Sequence, residues 1–237
     1  MCDTCGCGDA DVVAVEVHDE ILAGNRHRAA HNREHFRSHG VCAVNLMGSP
    51  GAGKTAVLEA TARHLARTAR CGALAGDLAT DRDATRLSRA GVPAISITTG
   101  SACHLDAAMV HQALHSMPAW SSLDYLFIEN VGNLVCPAVY DLGQHVNVVA
   151  LSVAEGEDKP IKYPVMFKNA DLVLVTKMDL LPHLPNLDLS ALLSGIEQVM
   201  PANKVILFSA ANGMGVEEWL EWLAVRHTEA CRPLQQT

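Results

Sequence analysis

Between an apolar run and a helix-compatible segment, the chain reads Gly48-Ser49-Pro50-Gly51-Ala52-Gly53-Lys54-Thr55. This octapeptide matches G-x-x-x-x-G-K-S/T, a glycine-rich loop that follows a strand and opens a helix. Its glycines let backbone N–H groups converge on a β-phosphate, Lys54 carries positive charge toward the β- and γ-phosphates, and the Thr55 hydroxyl is a ligand for Mg²⁺. A glycine turn used only for packing would not require the Lys-Thr pair. The motif therefore predicts a site for a nucleoside phosphate.

The rest of the chain alternates between short apolar runs and helix-compatible segments. Strands are predicted at residues 41–47, 73–75, 94–97, 125–128, 146–151, 172–175 and 205–208, and helices at 19–38, 54–70, 105–115 and 216–225. Continuous apolar strands between helices are typical of a parallel sheet that is covered on both faces. We therefore expect an α/β protein of the P-loop NTPase class, with a doubly wound, mostly parallel sheet.

Composition excludes several classes of protein. The chain has 237 residues, of which 49% are hydrophobic and 19% charged, so it can bury a core without disulfides. Its formal net charge is −8, and the absence of a basic run argues against nucleic acid as a partner. No apolar stretch approaches the roughly 20 residues that cross a bilayer, and the N-terminus does not resemble a signal peptide. We expect no membrane contact and a cytoplasmic location.

Two further segments predict which base is bound. Thr176-Lys177-Met178-Asp179 follows a predicted strand and resembles the N/T-K-x-D element of GTPases. The Asp179 carboxylate can accept from the guanine N1–H and N2–H₂ groups together, a pair that adenine does not present. Taken alone, the element is also compatible with a strand-end turn, because Thr176 stands where asparagine is commoner. Ser209-Ala210-Ala211-Asn212-Gly213 supports guanine, since it resembles the S-A-x-x-G loop whose backbone N–H meets guanine O6. GTP and GDP are thus the predicted ligands.

A switch element is predicted at Glu129-Asn130-Val131-Gly132, which resembles D/E-x-x-G. In such elements the carboxylate holds Mg²⁺ or its water, and the glycine amide senses the γ-phosphate. Asp77 is the preferred candidate for the metal or the attacking water, whereas Asp83 and Arg86 could equally form a surface ion pair. The residues predicted to be catalytic are Lys54, Thr55, Asp77 and Glu129, and those predicted to hold Mg²⁺ are Thr55, Asp77 and Glu129.

Cysteine spacing indicates a second kind of chemistry. Cys2, Cys5 and Cys7 lie within six residues and can reach one ion with little strain, and soft sulfur favours nickel or zinc over magnesium. A leader with incidental cysteines is the alternative. The Cys103-His104 pair and Cys136 would, taken alone, more often be buried thiols and a histidine at a helix N-terminus. Cys136 nevertheless closely follows the predicted switch, which would couple metal binding to the nucleotide.

These motifs occur in the order found in the nickel-incorporation GTPases of nickel–iron hydrogenase maturation, the HypB family, which the chain resembles over essentially its whole length. The resemblance implies a nickel site at Cys2, Cys5 and Cys7, completed by the terminal amine if Met1 is removed, and a nickel or zinc site at Cys103, His104 and Cys136. It also implies slow GTP hydrolysis, a GTP-dependent homodimer, and two partners, a HypA-type nickel metallochaperone and the hydrogenase large-subunit precursor. Residues 1–18 would form the flexible metal-binding leader and residues 19–237 the GTPase domain.

Other interpretations stay open. A urease-accessory GTPase would centre its metal on Cys-Pro-His, whereas this chain has Cys136-Pro137-Ala138. A cobalamin-enzyme GTPase would not need the cysteine leader, and a nickel store would use its nucleotide site only for regulation. A four-residue repeat of histidines suggests metal storage, but a solvated polar helix face is the favoured interpretation. Its members are His27, His31, His35 and His39.

Overall fold

The computed structural model describes the backbone of residues 10–201 and 204–232, and side chains from residue 22 onward within those ranges. The strands are β1 (Cys42–Met47), β2 (Cys71–Asp77), β3 (Ala94–Thr98), β4 (Tyr125–Glu129), β5 (Val146–Ser152), β6 (Leu172–Thr176) and β7 (Lys204–Leu207). The α-helices are α1 (Ala10–His39), α2 (Lys54–Leu65), α3 (Arg82–Arg89), α4 (Ala107–Ser116), α5 (Lys159–Lys162), α6 (Pro164–Lys168), α7 (Leu189–Val199) and α8 (Val216–Ala230). A short 3₁₀ helix occupies Cys136–Ala138.

The strands form one sheet in the order β3-β2-β4-β1-β5-β6-β7, and every neighbouring pair of strands is parallel. This confirms the predicted doubly wound α/β fold. Parallel strands place their carboxyl ends at one edge of the sheet, where open α/β proteins bind ligands. The glycine loop follows β1, the switch carboxylate ends β4 and the base element follows β6, so the three predicted nucleotide segments meet at this edge.

Successive residues of β1 point to opposite faces of the sheet, as the two-residue period of a strand requires. Val44 and Leu46 belong to a buried cluster that includes Val57 of α2 and Trp219 of α8. On the other face, Ala43 packs in a cluster with residues of α1 and α4. Both faces are therefore covered, which explains why the strand has no polar alternation that would mark a solvated side.

The helix before β1 begins earlier than the sequence indicates. We predict a helix at residues 19–38, whereas α1 starts at Ala10, so the predicted boundary between leader and domain falls inside this helix. Its apolar anchors Ala29 and Phe36 are fully buried, and Arg33 donates twice to the Asp141 carboxylate at 2.8 Å. Cys2, Cys5 and Cys7 lie outside the described residues. Among the described helices, none combines the length and apolar character needed to cross a bilayer.

Candidate functional site

The glycine loop adopts a backbone that requires glycine at defined positions. Gly53 has a φ of 92° and is the N-cap of α2, and Gly51 has a φ of 77°. At Gly48 a Cβ would lie 2.3 Å from the carbonyl oxygen of Ala150 on β5. The loop can therefore turn sharply between strand and helix only because these positions lack side chains, which leaves the N-terminus of α2 open to an anion.

Lys54 and its neighbours brace the loop. The Lys54 ammonium donates to the carbonyl oxygens of Gly48 and Ser49 at 3.2 and 3.1 Å. Burial lowers the pKa of Lys54, while the nearby carboxylates, Glu129 first, oppose that shift. The Ser49 hydroxyl donates to Glu155 at 2.5 Å. The charged end of Lys54 is thus held over the loop, where the β- and γ-phosphates of a nucleotide would lie.

A set of oxygen atoms beside the loop fits Mg²⁺. The Thr55 hydroxyl lies 2.8 Å from a carboxylate oxygen of Glu129 and 2.8 Å from one of Asp83. Burial raises the pKa of Glu129 to about 7, and its second carboxylate oxygen is buried without a hydrogen-bond partner among the described residues. Such a buried, unpaired carboxylate oxygen next to a hydroxyl is what a hard cation would satisfy. These residues therefore fit a magnesium ion.

Asp77 and Asp83 both border the cavity beside the phosphate loop, but they make different contacts. Asp77 borders the same cavity of about 530 Å³ as Lys54, Thr55 and Glu129. Its carboxylate, however, accepts from the backbone N–H groups of Ala79 and Thr80, and chiefly the first of these lowers the pKa of Asp77. Asp83, for which the sequence equally allowed a surface ion pair with Arg86, does lie 3.7 Å from Arg86 but also contacts Thr55.

The predicted base elements adjoin one another. The Ser209 hydroxyl donates to the Asp179 carboxylate at 2.5 Å, and the backbone N–H of Met178 donates to the carbonyl of Phe208 at 3.2 Å. Lys177 has a φ of 58° and borders the phosphate cavity. The two loops after β6 and β7 thus form one unit, with Ala210 directly beyond Ser209.

Thr176 has a structural role that the motif does not reveal. Its hydroxyl donates to the carbonyl oxygen of Ala52 at 2.6 Å, and the side chain is buried. Thr176 therefore joins the base element to the phosphate loop through a hydrogen bond.

The second predicted metal site is brought together by the fold. The sulfur atoms of Cys103 and Cys136 are 2.8 Å apart, and the Cys103 sulfur lies 3.9 Å from Nδ1 of His104. Burial lowers the pKa of His104, which favours the neutral imidazole that binds metals. The ring of His104 stacks on Tyr140 with ring centroids 3.8 Å apart. One soft or borderline cation could bind to this group of ligand atoms, all of which lie within 4.8 Å of one another.

Hydrogen bonds join this metal-ligand group to the nucleotide site. The backbone N–H of Asn133 donates to the Gly48 carbonyl at 3.0 Å, and the Asn133 side-chain oxygen accepts from Cys136 at 3.4 Å. On the other side, the buried Asn130 accepts from the backbone N–H of Leu105 at 3.2 Å. Leu105 follows His104 directly, so both ligand segments are attached to the switch or the phosphate loop.

Gly132 lies where a side chain would collide with the phosphate loop. A Cβ at this position would lie 2.9 Å from the backbone nitrogen and Cα of Pro50. Only glycine therefore allows this close approach, and the contact of the Gly132 amide with a terminal phosphate stays a prediction from the D/E-x-x-G pattern.

The histidine stripe only partly matches its prediction. His31 and His39 are exposed, as a solvated face requires, but His35 is half-buried and its ring lies 5.6 Å from that of His111 on α4. The prediction of a solvated polar face is therefore wrong for His35. The reason is that α1 packs along α4, a contact between segments distant in sequence.

Comparison with known proteins identifies this arrangement. Residues 42–206 match the model of the CobW/HypB/UreG nucleotide-binding domain. The hydrogenase maturation factor HypB of Azotobacter chroococcum mcd 1 is 47% identical over 209 residues, covering 88% of this chain and 68% of that protein. The chain belongs to the HypB family. The Escherichia coli K12 member is 44% identical over 217 residues, covering 92% of this chain and 73% of that protein.

Solved HypB structures share the fold. HypB from Helicobacter pylori in complex with nickel superposes with a TM-score of 0.83 at 38% identity, covering 90% of this chain and all of that one. HypB from Archaeoglobus fulgidus gives a TM-score of 0.80, also at 38% identity, and covers 87% of this chain and all of that one.

Three residues connect the site through contacts that the sequence did not predict. They are Asp83 as a contact of Thr55, Asn130 as the link to Leu105, and Asn133 as the link between Gly48 and Cys136. The spacing of Asn130 and Asn133 within and directly after the switch element is the only local signal for them.

Proposed function

We propose that this protein is a GTP-hydrolysing nickel metallochaperone that delivers nickel for hydrogenase maturation, and that its metal binding depends on the nucleotide state. The observation that carries this proposal is the pair of connections from the nucleotide site to the thiol and imidazole ligands. One runs through Asn133 from Gly48 to Cys136, and the other runs through Asn130 to Leu105 beside His104.

The nucleotide half of the reaction follows from the charges around the cavity. Lys54 binds the β- and γ-phosphates, the amides at the start of α2 surround the phosphates, and Asp179 with the loop at Ser209 and Ala210 selects guanine. Thr55 and Glu129, with Asp83 beside them, would hold Mg²⁺. The bound ion would neutralise the charge that develops on the phosphates during hydrolysis. Asp77, in the wall of the same cavity, is our candidate for orienting the attacking water.

Slow turnover is part of the proposal. A cationic arginine that stabilises the transition state accelerates GTP hydrolysis by several orders of magnitude. Arg86 borders the cavity, but its guanidinium pairs with Glu59 at 2.8 Å and lies 3.7 Å from Asp83. The Arg86 side chain is thus already held by carboxylates, which favours a timed switch over rapid hydrolysis.

In the proposed delivery function, nickel is the cargo that the thiol and imidazole ligands bind. Cys103, His104 and Cys136 offer two thiols and one imidazole, a set that suits Ni²⁺ and also Zn²⁺. Binding of a γ-phosphate near Gly132 would move the backbone between Glu129 and Asn133, and Cys136 would move with it. The leader cysteines Cys2, Cys5 and Cys7 would form the tighter nickel site, and removal of Met1 would provide an amine ligand.

Partners follow from membership of the family. We propose a GTP-dependent homodimer with the Cys103, His104 and Cys136 group near its interface, a HypA-type metallochaperone as exchange partner, and the hydrogenase large-subunit precursor as the recipient. Cytoplasmic location stays a prediction from the sequence.

The decisive experiment is a nickel titration of the apo, GDP-loaded and GTP-analogue-loaded protein, with the oligomeric mass followed in parallel. We expect the nickel affinity of the site at Cys103, His104 and Cys136 and the mass to differ between the GDP and GTP-analogue forms. Identical affinities and masses in all three forms, together with an absence of GTP turnover, would instead indicate a nickel store.

A further inference from the structure

A group of histidines lies between α1 and α4, apart from the thiol-containing group. His31 and His35 are one helical turn apart on α1, and His111 and His115 have the same spacing on α4. Ring centroids are 4.2 Å apart for His31 and His35 and 5.0 Å apart for His31 and His111. Ligand nitrogens of His31, His35 and His111 all lie within 4.8 Å of one another.

One pair of nitrogens already has the spacing of two ligands that share a cation. Two imidazole nitrogens that share one ion at about 2.0–2.1 Å lie roughly 2.9–3.4 Å apart, depending on the angle at the metal. The Nε2 atoms of His111 and His115 are 3.1 Å apart, within this range. The ligand nitrogens of the exposed His31 and the half-buried His35 lie within 4.8 Å of that of His111, so small rotamer changes would bring them into the same range.

Buried hydrogen bonds fix which nitrogen of His111 is available. The side-chain N–H₂ of the fully buried Asn32 donates to the carbonyls of Ala107 and Leu142 at 2.9 and 3.0 Å, so its oxygen must face His111. That oxygen lies 3.1 Å from Nδ1 of His111 and can only accept, so Nδ1 carries the proton. The lone pair is therefore on Nε2, which faces the other histidines. Metal-binding histidines commonly have this outer hydrogen bond.

The surroundings also favour neutral imidazoles. Burial, followed by the neighbouring histidines, lowers the pKa of both His35 and His111. Neutral imidazole is the form that binds Zn²⁺, Ni²⁺ and Cu²⁺.

We propose that His31, His35 and His111, with His115 as a further ligand, form a nitrogen-only site for a borderline divalent transition cation that joins α1 to α4. The site is separate from the group at Cys103, His104 and Cys136, and it does not rest on the proposed function. The two sites differ in their absorption spectra. A metal ion held only by imidazoles has no thiolate-to-metal charge-transfer band, whereas nickel bound by Cys103 and Cys136 would have one.

The test titrates the full-length chain with Zn²⁺ and, separately, with Ni²⁺, and counts bound ions after equilibrium dialysis. We expect the wild-type chain to hold one more ion than the His35→Ala/His111→Ala double variant. His64→Ala is the matched control, since it removes an exposed histidine from α2 whose Nδ1 contacts the Ala60 carbonyl, and it should bind as many ions as the wild type. Equal counts in the double variant and the wild type would overturn the proposal.

Two measurements guard against a folding artefact. His31→Ala changes an exposed side chain, and we expect it to weaken the extra site at least ~10-fold, as loss of a ligand should exceed the roughly 10- to 100-fold cost of losing an outer partner. In the double variant, the thiolate-to-nickel absorption should persist while the extra ion is lost. If both disappear together, or if His31→Ala binds like the wild type, the separate site does not exist.

Discussion

The backbone N–H of Asn133 donates to the carbonyl oxygen of Gly48 at 3.0 Å, in an isolated bridge between the phosphate loop and the segment that carries Cys136. The Asn133 side chain then accepts from Val135 at 2.7 Å and from Cys136 at 3.4 Å. One residue thus contacts the phosphate loop through its backbone and the metal-ligand segment through its side chain. A displacement of the loop at Gly48 would be transmitted to the sulfur over a very short path.

Asn133→Ala should uncouple nickel binding from the nucleotide. Allosteric coupling of about 1–3 kcal/mol corresponds to roughly 5- to 150-fold differences in affinity, and we expect this ratio between GTP-analogue and GDP forms to fall toward one. Nickel titration of both loaded forms measures it. Asp188→Ala removes a comparable side-chain acceptor at the start of α7 and should leave the ratio unchanged. A normal ratio in Asn133→Ala would exclude this path.

Lys54→Ala should reduce GTP turnover by about 100-fold or more, since it removes a preorganised charge from the phosphates. Phosphate release under saturating GTP is the measurement, and nickel binding by the leader should be retained. Lys168→Ala, at an exposed position on α6, serves as control. Turnover at the wild-type rate in Lys54→Ala would show that the phosphate site has been misassigned.

Asp83→Asn should raise the Mg²⁺ concentration needed for half-maximal turnover by roughly 10-fold, because it alters a carboxylate that contacts Thr55. Asp77→Asn should instead lower the maximal rate at saturating Mg²⁺ if Asp77 orients the water. Magnesium titrations of both variants separate these roles. If both variants responded in the same way, Asp83 would not be assigned to Mg²⁺ binding and Asp77 to orienting the water.

Asp179→Asn should change the base preference from guanine to xanthine. The carboxylate accepts from two guanine N–H groups, whereas an amide accepts one hydrogen bond and donates one, which matches the xanthine edge with its additional carbonyl. We expect GTP affinity to fall at least ~10-fold and XTP to be preferred. Competition binding with GTP, XTP and ATP measures this change. A variant that still prefers GTP would disprove the role given to Asp179.

His145 makes the stability of the protein depend on pH. Its Nδ1 accepts from the backbone N–H of Ala43 at 3.0 Å, and burial together with Arg33 and Arg37 lowers the pKa of His145 to about 4. Between that value and 6.5 the unfolded chain binds more protons, so the free energy of unfolding should rise with pH across this window and fall on acidification. We expect the free energy of unfolding to change by about 1–2 kcal/mol across this window. This is less than the full pKa shift would give, because the ring is partly solvated.

Urea unfolding at pH 4.5 and pH 7 tests this dependence. His145→Gln keeps an acceptor for Ala43 but cannot titrate, so the part of the pH dependence due to His145 should vanish. His183→Gln, at an exposed position, should retain it. An unchanged pH dependence in His145→Gln would rule out the assigned cause.

The sequence alone predicted the doubly wound sheet and its strand positions within a few residues. The reason is that short apolar runs between helix-compatible segments favour buried strands, and the glycine loop typically has a strand before it and a helix after it. Residues 48–55 constrain their own backbone, since Gly51 and Gly53 have φ values of 77° and 92°, which favour glycine. Local constraints of this kind are visible without a fold.

Only the tertiary structure decided which distant residues meet. Asp83 contacts Thr55 because α3 packs beside α2, and His35 joins His111 because α1 lies along α4. Likewise, Asn130 binds Leu105 because β4 ends beside the segment that precedes α4. Such contacts depend on the order of strands and the packing of helices, which bring together residues whose separation along the chain has no fixed period.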